Sequence, residues 1–197
     1  MAQLARIDGR MARSVRTRHA VVDALLDLLG EGDLRPTAAR IAERAGVSLR
    51  IVFHHFDDVE TIYNELADRQ AERVKPLAVP IPVTIPFAQR VEKFAAQRGR
   101  LLETISPVRR AAVLSEPFRP ALAKRLKRAR DLMRAAAIAA FAPELSKLAA
   151  DERRAATGAL DVVTSWVAWE QMRRHQGLSE TDARGVMAAA IRAILTK

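Results

Sequence analysis

Residues 35–56 read RPTAARIAERAGVSLRIVFHHF, and this stretch decides the fold. Pro36 stands just ahead of Thr37, Ile41 and Ala45 lie four apart, and Gly46 follows, so a short helix spans about 37–45 and stops at the glycine. Ser48 is a good N-cap for a second helix of about eight residues. Two short helices joined by a tight glycine-containing turn make a helix-turn-helix, whose second helix is sized for a major groove. Ile41, Ala42, Ala45, Val47, Val52 and Phe56 can form the shared core. Leu49, Arg50, Ile51, Phe53 and His54 are left facing outward. Such an apolar and cationic face suits base edges: Arg50 can grip guanine O6 and N7, and Leu49 or Ile51 can touch a thymine methyl. Ser48 has two compatible readings, as a cap alone or as the helix start whose N–H groups meet a phosphate.

Working outward, Val21, Val22, Leu25, Leu26, Leu28 and Leu29 form an apolar stripe on a preceding helix, expected over 14–30 with Ser14 as its cap. Asp57 or Asp58 can cap a fourth helix running to about Lys75. The tract PLAVPIPVTIP, residues 76–86, reads as an extended connector, because its prolines forbid both helix and central strand. Beyond it, helices are expected over 87–105, 108–115, 119–141, 151–176 and 180–196, with prolines 107, 117, 120 and 143 as breaks. Leu122, Leu126, Ala129, Met133, Ala136 and Ala140 step by four and three, the rhythm of a helix-packing seam, and Ala183, Met187, Ala190 and Ile194 repeat it. The fold expected is all-α: an N-terminal three-helix helix-turn-helix domain (1–56, with a basic arm 1–13), a connecting helix (57–75), the connector (76–86) and a C-terminal helical bundle for dimerisation and ligand binding (87–197).

Composition narrows the chemistry. The 197 residues contain no cysteine, which removes disulfides, thiolate metal sites and a cysteine nucleophile. The longest charge-free stretch, 76–89, carries four prolines and is too short to span a bilayer, and the N-terminus lacks a secretory apolar core, so no membrane partner and a cytoplasmic address are expected. His54 and His55 are adjacent, unlike the i, i+4 spacing of a zinc pair, and no metal or cofactor is expected. Asp161, Ser165 and His175 lie along one expected helix and cannot converge as a triad. An enzyme is not indicated. The net charge of +10 favours a polyanionic partner, double-stranded DNA first.

The spacing Ile41-Ala42, Ala45-Gly46-Val47-Ser48, Phe53 and Phe56 resembles the head motif of the TetR family of bacterial transcriptional regulators over residues 14 to about 66. Ser165, Trp169, Met172, Arg173, Gly177-Leu178 and Ala183 are similar to that family's last two helices. The resemblance implies a homodimer, an N-terminal DNA-binding domain, and a body that dimerises and binds an unidentified small effector weakening DNA binding. It implies that Thr37 contacts phosphate and that Leu49, Arg50, Ile51, Phe53 and His54 lie on the recognition helix. Phe53 stands where the family usually has tyrosine, and Val59 where it usually has lysine, each removing one phosphate interaction. His54 and His55, or the basic arm with Arg6, Arg10, Arg13, Arg16 and Arg18, can replace them.

That arm sets five arginines against Asp8. Residues 98–134 hold eleven basic residues against three acids, a net of +8, read first as a solvated helix face and second as a surface for an anionic effector or DNA backbone. Phe118, Met133, Phe141, Trp166, Trp169 and Met172 are candidates to line an effector cavity, though large apolar residues at helical spacing are more often core. Val163, Val167, Ala183, Met187, Ala190 and Ile194 are candidate dimer contacts, and Gly158, Ala159, Gly185, Ala188 and Ala189 would allow close approach in a four-helix interface. The expected function is a ligand-responsive regulator, a repressor on a near-palindromic operator. The alternatives are a sequence-tolerant architectural DNA-binding protein without an effector, or a partner-binding module with a vestigial head.

Overall fold

The computed structural model describes the chain from residue 2 to residue 196, with side chains from residue 11 onward. Among the described residues there are ten α-helices and no strand, the all-α architecture expected. They are α1 Ala2–Gly30, α2 Ala38–Ala45, α3 Leu49–His55, α4 Val59–Val74, α5 Phe87–Ser115, α6 Pro120–Ala140, α7 Ala142–Leu145, α8 Ala150–Val163, α9 Trp166–Glu170 and α10 Glu180–Leu195. None is long and apolar enough to cross a membrane.

The chain divides into two compact units. The first runs as far as Arg73 and takes in Pro107–Ala111; the second comprises Val74–Ser106 and the chain from Ala112 onward. In the first, Val21, Val22, Leu25, Leu28 and Leu29 of α1 bury with Ile41, Val52, Phe56, Ile62 and Leu66. In the second, Phe94, Leu102, Phe141, Leu160, Trp169, Met187 and Ile191 form the core.

Several boundaries differ from expectation for identifiable reasons. Helix α1 begins at Ala2, and Ser14 lies inside it. Residues 2–13 contain no proline, and nothing local forces a start at the serine. The side chains of Arg6 and Arg10 lie outside the described residues. Helix α5 runs unbroken through Pro107. The Ser106 hydroxyl donates to the Leu102 carbonyl at 2.7 Å and the Thr104 hydroxyl to Arg100 at 2.7 Å, back-bonds of the kind that accompany a bend, in the turn where the proline removes a bond. The helix expected over 151–176 breaks at Thr164. Ser165 caps α9 by accepting from Ala168 N at 3.1 Å, and Gln171–His175 form one π-helical turn. Beside that break the Ser165 hydroxyl accepts in the cap of α9, and Asp161 faces Arg134 at 3.8 Å. On α6, Leu126, Ala137 and Ala140 are buried while Ala136 is exposed, because a straight helix drifts from a strict 3.5-residue repeat.

Gly99 of α5 marks a close approach. A Cβ there would lie 2.9 Å from Arg184 Cγ of α10 and 3.0 Å from the Trp169 ring of α9, so only glycine fits without displacement.

Candidate nucleic-acid interface

The helix-turn-helix is built by local capping. Thr37 Oγ1 accepts from Arg40 N at 3.2 Å and starts α2, and Gly46 ends it with φ 66°, a left-handed conformation that disfavours any side chain. Ser48 Oγ accepts from Ile51 N at 3.3 Å and starts α3. Phe56, buried, closes α3 by donating its backbone N–H to the Val52 carbonyl.

These caps fix which way α3 faces. Val52 and Phe56 are buried, whereas Leu49, Arg50, Ile51, Phe53 and His54 are exposed on the other side. Three large apolar side chains and a cation thus share one solvent-facing surface on a seven-residue helix. The apolar members gain nothing from exposure to water, whereas the wide groove of a duplex offers donors, acceptors and thymine methyls. Thr37 and Ser48 are also exposed, at the starts of α2 and α3, with their hydroxyls accepting in the caps. Arg16 is exposed on α1.

Arg18, expected on phosphate, is also engaged within the head. Its Nε donates to Glu65 of α4, its Nη1 donates to the His55 carbonyl at 2.7 Å, and its guanidinium lies 4.4 Å over the Phe56 ring. It joins α1, α3 and α4, a role invisible in a count of charges. Arg44 makes a two-pronged pair with Glu31 at 2.7 and 2.6 Å, fastening α2 to the turn after α1. Asp58 caps α4, accepting from Thr61 N at 2.7 Å, and Val59 is half-buried against the core.

His55 is partly sheltered. Desolvation first, then the nearby charges of His54 and Arg18, hold its imidazole below the ordinary value. A protonated His55 on phosphate therefore works against its surroundings. Because the unfolded chain binds that proton more readily, head stability falls as pH drops below the ordinary histidine value of about 6.5. Urea midpoints of the head measured at pH 7.5 and 5.5 should show the drop, and His55→Gln should lessen it; an undiminished drop would assign it to other groups.

In the second unit the expected cavity and dimer residues separate. Phe118 is 82% exposed, beside the prolines that end α5, and lines no interior of this chain. Phe141 and Trp169 are fully buried core, and Met133 and Trp166 are half-buried against it. Ala183 and Met187, expected between subunits, are buried in their own core, since that side of α10 packs on the protomer. Val163 and Ile194 also pack there, and Ala190 is half-buried. Of the expected contacts Val167 and Ala189 turn outward, and Val162, Val186 and Ala193 on the same helices do so as well. The basic tract divides too: Lys124, Arg125, Lys127 and Arg128 are exposed on α6, but Arg98 and Arg109 are buried.

Known structures share this fold. A protein from Mesorhizobium loti MAFF303099 assigned to the TetR family of transcriptional regulators superposes with a TM-score of 0.64 at 19% identity, over 93% of this chain and 96% of that one. One from Rhodococcus sp., likewise assigned to the TetR family, gives 0.65 at 15% identity, over 92% and 100%. A transcriptional regulator from Rhodococcus sp. Rha1 gives 0.67 at 17%, over 90% and 95%. No family model and no curated protein matches the sequence. The fold is that of TetR-family regulators.

Proposed function

We propose that this chain is a TetR-family transcriptional regulator, a cytoplasmic repressor that binds a near-palindromic operator as a homodimer and releases it when a small effector occupies the second unit. The observation that carries the reading is the face of α3: Leu49, Arg50, Ile51, Phe53 and His54 all turned outward from a helix whose other side is core. Arg50 reads guanine, Leu49 and Ile51 meet thymine methyls, and Thr37, Ser48 and Arg16 lie along phosphates. Two heads related by a two-fold axis enter successive major grooves about 34–36 Å apart. The fold likeness supports the same reading.

Selection from genomic fragments, against random DNA as control, tests it. A recovered palindrome with half-sites about one helical turn apart is expected. Binding of both pools without a shared motif would leave a sequence-tolerant architectural protein instead.

The dimer is expected to form through the outward residues of α8, α9 and α10. Val186→Glu should give a particle of 21.8 kDa by light scattering, against twice that mass for the parent protein, with helicity retained. A parent protein that is itself monomeric at micromolar concentration overturns this part.

A further inference from the structure

We propose that Arg98 anchors the effector, and that the effector is a small amphipathic molecule bearing one carboxylate. The inference rests on the ligand-responsive reading above.

Helix α5 buries a stripe made of Val91, Phe94, Ala95, Arg98, Leu102 and Ser106. Every member but Arg98 is apolar or a small hydroxyl, and Arg98 is only 5% exposed. Its guanidinium donates Nη2–H to the Met133 carbonyl at 2.8 Å and Nη1–H to the Thr164 carbonyl at 3.2 Å, and lies 4.8 Å over the Phe94 ring. Among the described residues no carboxylate lies within ion-pair distance of it. Asp161, whose field reaches it, faces Arg134. Burial pushes Arg98 down to about 10, which still leaves it a cation at neutral pH.

Arg90, eight residues earlier on α5, supplies the comparison. It is equally buried, and there the chain provides Glu144 as counter-ion, with Val83 O accepting at 2.6 Å. Arginine used only for architecture thus comes with an acid in this protein. Arg98 has carbonyls and a ring but, among the described residues, no counter-ion, and a buried cation without one serves stability worse than an apolar residue of similar volume, which points to a use beyond architecture.

A guanidinium has five N–H donors in a planar fork, and the two carbonyls leave part of it open to an acceptor. A carboxylate matches that fork with two parallel bonds and cancels one charge with one charge. The remaining surroundings specify the rest of the molecule. Phe94 and Leu102 are buried core, and Met133 and Trp166 packed against it are half-buried, so the body of a molecule held at Arg98 would meet apolar side chains. The Trp166 Nε1–H donates to Ser106 Oγ at 3.0 Å and so keeps that indole in place. The break after Thr164 is what frees the carbonyl that holds Arg98.

The test uses the full chain with straight-chain carboxylates from butanoate to dodecanoate, phenylacetate, and the alcohols, amines and amide of matching skeleton. Melting temperature and release of the selected operator are read together. At least one acid should raise the midpoint by about 3 °C or more and weaken operator binding about tenfold, with its uncharged counterpart much less active. Arg98→Met should lose the response, Arg98→Lys should keep part of it, and Lys124→Gln should keep all of it. If Arg98→Met does not fold, the contrast between Arg98→Lys and Arg98→Gln decides. An alcohol or amine as effective as the acid, or an undiminished response in the Arg98 variants, overturns the carboxylate anchor and leaves ligand sensing standing. Silence from every class overturns both.

Discussion

Phe56→Ala is expected to melt the first unit while the second stays folded, and to abolish operator binding. The ring is buried under the Arg18 guanidinium and its backbone closes α3, so truncation removes a core anchor and the platform of a cation–π contact together. Removing a buried phenylalanine costs about 3–5 kcal/mol, comparable to the entire stability of a unit this small. The core it belongs to shares no residue with that of the second unit. Calorimetry should therefore show one transition lost or moved far down and another little changed. A loss under about 1 kcal/mol would mean that the head core does not depend on Phe56. Phe53→Ala is the matched control: the same deletion on the exposed side should change stability by less than about 0.5 kcal/mol and still weaken operator binding.

Arg50→Ala should reduce affinity for the selected operator by about 5- to 150-fold, corresponding to about 1–3 kcal/mol, with little change in melting temperature. Its side chain is exposed and, among the described residues, makes no hydrogen bond or ion pair, so the folded chain loses nothing by its removal. The informative quantity is the pattern across sequences. Lost discrimination at one base pair, with an unchanged salt slope, places the guanidinium on a base edge. Equal weakening on all sequences, with the slope reduced by about one, would put it on a phosphate.

The helix-turn-helix is legible in the sequence because its determinants are local. Thr37, Gly46 and Ser48 act within four residues of themselves, and Val52 and Phe56 are one helical turn apart. Where distant groups decide, reading along the chain misled. Pro107 predicts a stop, but α5 continues through it, with Val108 and Ala111 just beyond the proline packed on the head core. The cap at Ser165 was a local signal, masked by apolar residues that continue helical spacing on both sides. The rhythm of Ala183 and Met187 marked a packed face correctly, but periodicity does not say whether the partner is another subunit or the same chain. In sequence Arg98 is one more charge of a basic tract; the carbonyls of Thr164 and Met133 that receive it lie far off along the chain.

Consecutive residues of α5 are held from different sides. Arg98 is tied to α6 and to the end of α8, while Gly99 lets Arg184 and Trp169 come too near for even a methyl group. The rod is wedged at that level and behaves as a fixed axle. On the ligand-responsive reading proposed above, the helices around this rod are expected to shift before the rod does. Gly99→Ala would put the axle itself under load, trading a small gain in helix propensity for a larger crowding cost against a buried indole.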